Sequence, residues 1–394
     1  MKYGILTVTA ISTAADRSFT NLGDQMQSET IRYIYQKIGI PERGIVTIEL
    51  KDLMNGHTPP AAEQEYIILP ININLELNGL AQIFPLPPHI IPVFLGLSFY
   101  AYTRLPQELV DYFRCFAPIG CRDESTMRLI RQYHIPAYLF GCVTALLPSF
   151  YKAPSKDGTV FFVDVPESFE RYLKTSGKTF AHVERVTHIR PGGGLDEEAY
   201  LRNETRALIR KYSSEAELVV TSRLHCMSPC MAMGVPLIPV TDNISERMAW
   251  IDRYLHIYTP KTYSEINWNG QVVEYEERKR QMLQIAVKRI RHTVAQYEDI
   301  FDYSCYLESR ECADYGNFYR ERISEIPEER KKKLKYIIWG CGQVGIHTYH
   351  AMRNMYPDSK LAAVVDSYCE GMFCDGTPIQ KPDGLKPEEG KYIL

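Results

Sequence analysis

The sequence lacks an apolar stretch long enough for a membrane-spanning helix: its longest run, Ile90 to Tyr102, has 13 residues and contains Pro92, whereas a helical span needs about 20. It lacks a CxxC pair, and ten cysteines in 394 residues are too sparse for a disulfide scaffold. The closest spacings, Cys226-x3-Cys230, Cys369-x4-Cys374 and Cys115-x5-Cys121, are not those of a structural zinc site, so reduced thiols in a cytoplasmic protein without a metal are expected. No charge sign dominates. Forty-five basic residues face 48 acidic ones, a net charge of −3, so nucleic acid is not an expected partner and any anion must be held locally. The opening Met1-Lys2-Tyr3-Gly-Ile-Leu-Thr-Val-Thr-Ala10 has too short an apolar core for a secretory signal and reads as a first strand.

What is present is an alternation of short β-branched or aliphatic runs with amphipathic stretches, the pattern of an α/β protein with parallel sheets covered by helices. Strands are expected at Tyr3–Thr9, Gly44–Leu50, Tyr66–Pro70 and Ile91–Leu97, with a helix over Gln25–Ile38. A second series follows the Pro148-to-Gly158 hinge: Thr159–Val163, Val183–His188, Leu218–Thr221 and Pro236–Val240, with a helix over Glu197–Tyr212. A long amphipathic helix spans Glu274–Phe301, and Glu328-Glu-Arg-Lys-Lys-Lys333 marks a charged linker. The implied organisation is a Rossmann-like half at 1–148, a second at 158–303, a linker at 304–334 and a short, incomplete Rossmann-like unit at 335–394.

The stretch with most chemistry is Val219-Val-Thr-Ser-Arg-Leu-His225, leading into the apolar Cys226–Met233 and Gly234-Val-Pro236. Polar groups at the carboxyl end of a parallel strand lie where open α/β sheets place ligands. In extended backbone Arg223 and His225 alternate with Leu224 and point to one side. With no acid following until Asp242, a bound carboxylate or phosphate supplies the missing charge. The alternative is a buried arginine paired to an internal carboxylate, with Ser222 capping the helix.

Thr221-Ser-Arg-Leu-His-Cys-Met-Ser-Pro-Cys-Met-Ala-Met-Gly-Val-Pro-Leu-Ile238 resembles the signature of the polysaccharide pyruvyltransferase family. Asn21-Leu-Gly-Asp24 resembles its N-terminal turn, and Cys121-Arg-Asp-Glu-Ser125 its central Arg-Asp-x-x-Ser element. The order of the three pieces is the specific signal, because Asn-x-Gly-Asp alone is also a plain helix cap and Asp123 or Ser125 also suits a cap. The resemblance covers roughly residues 1–300. It implies two Rossmann-like halves in a GT-B-like arrangement and transfer of the enolpyruvyl group of phosphoenolpyruvate onto two hydroxyls of a saccharide, giving a ketal and phosphate.

Under that resemblance Arg223 is the principal clamp for the trianionic donor, helped by Arg122, by Asn21, and by the amides near Gly23 and Ser222. His225 is the acid that protonates the methylene carbon, and Asp24 orients or deprotonates a sugar hydroxyl or serves the turn. No cofactor or metal is required. One segment departs from the pattern: where many members carry a glycine-rich turn, this chain has Pro70-Ile-Asn-Ile-Asn74. Arg190-Pro-Gly-Gly-Gly194 resembles an anion-accessible loop or a flexible connection, with Arg190 a secondary candidate.

Near the C-terminus, Tyr336-Ile-Ile-Trp-Gly340-Cys-Gly342-Gln-Val-Gly345 has the dinucleotide fingerprint, with Asp366 at the end of the next strand. Gly340, Gly342, Gly345 and Asp366 are therefore candidate contacts for a nucleotide or NAD, against a purely structural role for a unit similar to small nucleotide-sugar-binding domains. Two other readings of the whole chain stay open: a GT-B glycosyltransferase using a nucleotide sugar, and a non-catalytic saccharide- or nucleotide-binding protein.

Overall fold

A computed structural model describes residues 1–9, 11–12, 18–56, 65–75, 77–99, 104–149, 151–152, 158–191, 197–307, 334–341, 345, 349, 352, 358–385 and 391–393. The chain forms two compact units, Met1–Arg104 with Pro118–Ile290, and Leu105–Ala117 with Arg291–Leu394. The first unit holds two parallel sheets.

The aliphatic runs Ile67–Ile71 and Ile90–Phe99 are buried at every position, as central strands covered on both faces must be. Around them a seven-stranded sheet runs Ile45–Glu49, Lys2–Thr7, Ile67–Ile71, Ile90–Phe99, Ile119–Cys121, Ala137–Leu139, with Asn74–Leu75 also beside Ile90–Phe99. All of its pairings are parallel. The strand order reverses between Lys2–Thr7 and Ile67–Ile71, which opens a crevice beyond their carboxyl ends.

The second sheet runs Val183–Val186, Thr159–Val163, Ala216–Thr221, Leu237–Pro239, again parallel. Its order reverses between Thr159–Val163 and Ala216–Thr221. The two halves are tied together by an antiparallel pairing of Ile189–Pro191 with Ser18–Asn21. Arg32, Arg202 and Arg206 also close on Glu29, Glu42 and Glu198 between the helices Leu22–Ile38 and Glu197–Glu215.

The first helix begins at Leu22, before the expected Gln25, because Asn21 takes the cap and accepts a hydrogen bond from Gly23 N at 3.0 Å. It buries Leu22, Met26, Ile31, Ile34 and Tyr35. The long amphipathic stretch forms the helix Glu276–Leu307, with Met282, Ala286 and Ile290 buried.

In the second unit, a parallel sheet runs Ile379–Gln380, Lys360–Val365, Lys335–Trp339, Lys391–Ile393. Gly340 has φ +102°, and a Cβ on Gly345 would lie 1.9 Å from the Gly340 carbonyl oxygen, so both positions demand glycine. Gly342 lies outside the described residues, as does most of the expected 304–334 linker.

Candidate active site

The groups of interest lie where parallel strands of the first sheet end and the next helices begin. Arg122 and Asp123 follow the strand Ile119–Cys121, and Asp123 caps the helix Glu124–Gln132 by accepting from Thr126 N at 2.8 Å. Asp123 also accepts from Ser125 Oγ at 2.7 Å and Ser98 Oγ at 2.5 Å, so its carboxylate anchors the helix start.

Arg122 is different. It is 1 % exposed, its Nη2 donates to Gln27 Oε1 at 3.1 Å, and its buried Nε has no hydrogen-bond partner. Among the described residues it makes no ion pair. Burial lowers the basicity of its guanidinium, and Arg247 adds to this, while the charges of Cys142, Asp24 and Asp123 oppose it without a direct ion pair.

Gln27 is the hub of the polar network. Besides accepting from Arg122 it accepts from Asn72 Nδ2, and its Nε2 donates to Asp24 Oδ1 at 3.1 Å. Asn72 comes from the segment that departs from the family pattern; its Oδ1 accepts from Val143 N at 3.3 Å.

From the second half, the helix Leu224–Met233 brings His225 against the first helix. His225 is 6 % exposed, and its Nδ1 lies 3.3 Å from Asp24 Oδ1. Its Nε2 is buried without a hydrogen-bond partner. A Cβ on Gly23 would sit 2.6 Å from His225 Cβ, so only glycine lets the imidazole approach this closely. Asn21, not Asp24, serves the turn; the Asp24 carboxylate is turned to the histidine.

Charge organises the cluster. Burial alone would raise the Asp24 carboxyl, but His225, Arg247 and Arg122 hold it below the ordinary carboxylate value. Burial likewise opposes protonation of His225, yet Cys142 and Asp24 outweigh it and raise the imidazole above its ordinary value. Cys142, buried beside them, would be raised by burial, but Arg122 and His225 bring its thiol down to about 6. Arg247, in the turn Glu246–Met248, adds a further cation whose Nε is buried and unpartnered.

Arg223 requires a correction. The strand ends at Thr221, whose Oγ1 accepts from Arg223 N at 3.0 Å and closes a turn, so Leu224 and His225 are already helical. The two basic side chains therefore do not alternate along one extended edge. Arg223 Nε donates to Asp164 Oδ2 at 3.0 Å, an acid at the end of Thr159–Val163, and Ser222 Oγ donates to the Asp164 carbonyl. The missing counter-charge of Arg223 is supplied within the protein, 59 residues upstream.

Arg190 lies in the strand Ile189–Pro191, donating to the carbonyls of Thr187 and Ile189 and approaching Glu204 at 3.5 Å; Gly192–Gly194 lie outside the described residues. Asp366, in the second unit, accepts from the amides of Cys341, Tyr368 and Cys369 at 2.9, 2.7 and 2.9 Å, which hold its carboxyl far below the ordinary value. Sequence reasoning missed Cys142, Gln27, Asn72 and Arg247. For Cys142 a signal existed: Gly141-Cys142-Val-Thr144 comes one residue after the strand Ala137–Leu139, with a hydroxyl two residues beyond the thiol.

Among known proteins, the model of the family described as polysaccharide pyruvyl transferase matches residues 21–243. No curated protein matches the chain. Two solved structures resemble it: a functionally uncharacterized protein, KP1_0663, from Klebsiella pneumoniae, at 11 % identity and TM-score 0.37, covering 64 % of this chain and 88 % of that one; and the S. aureus MnaA–UDP co-structure, at 8 % identity and TM-score 0.33, covering 64 % and 82 %. Among the described residues no helix is long and apolar enough to cross a membrane.

Proposed function

Because the chain belongs to the polysaccharide pyruvyl transferase family, a transferase acting on a saccharide, we propose that its donor is phosphoenolpyruvate and that the donor is held by Arg122 beside the Asp24–His225 pair. The observation that carries this reading is Arg122: a guanidinium 1 % exposed, with an unpartnered Nε and no ion pair among the described residues. A compact trianion offers that unpartnered Nε an anionic oxygen to bond. Arg247 adds a second cation beside Arg122 and Asp24.

His225 is the acid. Its Nδ1 faces Asp24, which fixes the ring and favours its protonated form. It delivers a proton to the methylene carbon, the adjacent carbon becomes oxocarbenium-like, and phosphate departs as saccharide hydroxyls add. The products are a cyclic ketal and inorganic phosphate, and no cofactor enters the scheme.

The test uses phosphoenolpyruvate with the full chain in deuterated water. Reversible protonation exchanges the methylene hydrogens, which proton NMR reads directly, and addition of a glycan panel releases phosphate. The expected loss in His225→Asn is roughly 10²- to 10⁴-fold in both signals. Absence of exchange and of phosphate release in the wild type, with stabilisation only by nucleotide sugars, would overturn the reading in favour of glycosyl transfer.

A further inference from the structure

Cys142 stands at the carboxyl end of the strand Ala137–Leu139, in a turn stitched to the neighbouring strand: Phe140 N and Gly141 N both donate to Cys121 O, at 2.8 and 3.2 Å. The residue after Cys121 is Arg122, and Asn72 joins the thiol's turn to Gln27, the amide that Arg122 also bonds, so turn and guanidinium share one polar network. The thiol is wholly buried and accepts from Thr144 Oγ1 at 3.1 Å, and that hydroxyl lies 2.9 Å from Ser228 Oγ. Val143 N is held by Asn72 Oδ1.

The Thr144 and Ser228 hydroxyls thus tie the turn that carries the thiol to the helix that carries His225, and Asp24 holds that histidine at Nδ1. This is the pattern of an activated cysteine rather than of a core thiol. A neighbour gives the contrast. Cys121 is equally buried, but burial and Asp123 push its thiol well above the ordinary value, whereas Arg122 and His225 favour the Cys142 thiolate.

We propose that Cys142 is a covalent nucleophile of the transfer, carrying the enolpyruvyl carbon as a thioether-linked tetrahedral adduct before the saccharide receives it. The proposal rests on the pyruvyl-transfer reading above. The imidazolium of His225 gives its proton to the methylene carbon, the double-bond electrons forming the new C–H bond. The thiolate lone pair then forms an S–C bond to the phosphate-bearing carbon. Imidazolium and thiolate are thereby both discharged, and the phosphate is still attached.

Next the carbon–oxygen bond to phosphate breaks, phosphate leaves with that electron pair, and a saccharide hydroxyl adds, passing its proton to His225. The second hydroxyl then adds, the carbon–sulfur bond breaks to restore the thiolate, and the second hydroxyl proton leaves on phosphate. Two hydroxyl protons are thus accounted for: one replaces the proton delivered to carbon, and the other leaves on phosphate.

The experiment is acid-quenched intact-protein mass spectrometry of the full chain with phosphoenolpyruvate alone, followed by peptide mapping. The expected result is a mass gain of one phosphoenolpyruvate on the peptide containing Cys142, absent in Cys142→Ser and Cys142→Ala. Methylene exchange and glycan-dependent phosphate release should fall roughly 100-fold in both variants. Should a variant fail to fold, the wild-type adduct map decides alone. Phosphate release by a wild type that never carries an adduct, or variants that keep their rate within about threefold, would remove the covalent role and leave pyruvyl transfer standing. A wild type with neither exchange nor phosphate release would instead overturn the pyruvyl-transfer reading itself.

Discussion

Two arginines, each just past the end of a parallel strand, meet opposite fates. Arg223 sits at the reversal point of the second sheet, with its side chain 38 % exposed and bonded to Asp164. Arg122 follows a strand of the first sheet and is buried; among the described residues its side chain bonds an amide oxygen and no carboxylate. An arginine already satisfied has little left to offer a ligand. One left unsatisfied raises the free energy of the empty site and returns that energy on binding. The difference is why the proposed anion contact is Arg122, although the family-like signature around residues 221–238 first draws attention to Arg223.

The sharpest way to break this comparison is Arg122→Met. Charge-assisted hydrogen bonds of a buried guanidinium contribute about 1.5–3 kcal/mol, so the dissociation constant for phosphoenolpyruvate should rise roughly 10- to 100-fold by calorimetry. Stability should fall only modestly. The change relieves a buried guanidinium of its desolvation cost, but it also removes a cation that holds Asp24 and the Cys142 thiol down, so the melting temperature should drop by the equivalent of about 1 kcal/mol. A large loss of stability with unchanged ligand affinity would make Arg122 a structural residue and dissolve the contrast.

The contrast was partly legible in the chain. Aliphatic runs with turn residues between them announce both sheets, because strands buried on two faces need such runs. Asn21, Asp24, Arg122 and His225 stand out as polar groups at element ends, and the structure brings them together. Hidden from sequence were the things that depend on distance along the chain. Asp164 lies 59 residues before its partner, and no local pattern ties the two. The Thr221 hydroxyl closes a turn that ends the strand early, converting an expected alternation into a helix start. No local charge pattern marks Cys142, because Arg122 and His225 arrive from other elements.

Asp24→Asn probes the other side of the cluster. The folded His225 pKa lies above 6.5, so its contribution to stability is complete below 6.5 and disappears as pH rises through the folded value. The Asp24 pKa lies below 3.8, so its contribution is present above 3.8 and disappears as pH falls through the folded value. The stability lost in Asp24→Asn should therefore be greatest between about 3.8 and the raised His225 value, and should shrink outside that window. Urea titrations across pH measure this. In parallel the alkaline limb of methylene exchange should move to lower pH, because one of the groups favouring imidazolium is gone. The limb should not move all the way back, since Cys142 also favours the charged ring. An unmoved limb would detach Asp24 from the histidine's chemistry.

The smallest effect is expected from Arg223→Ala. Its partner is not stranded by the change, because Asp164 Oδ2 also accepts from His188 N at 3.0 Å and its side chain keeps 16 % exposure. An ion pair with one partner more than a third exposed is worth about 0–1 kcal/mol, so the shift in the urea midpoint should be small and should shrink further at high salt. Affinity for phosphoenolpyruvate should stay within about twofold, since the guanidinium is committed to an internal acid. If Arg223→Ala weakens donor binding as strongly as Arg122→Met, the Asp164 bond must open on binding, and both arginines would then reach the same anion.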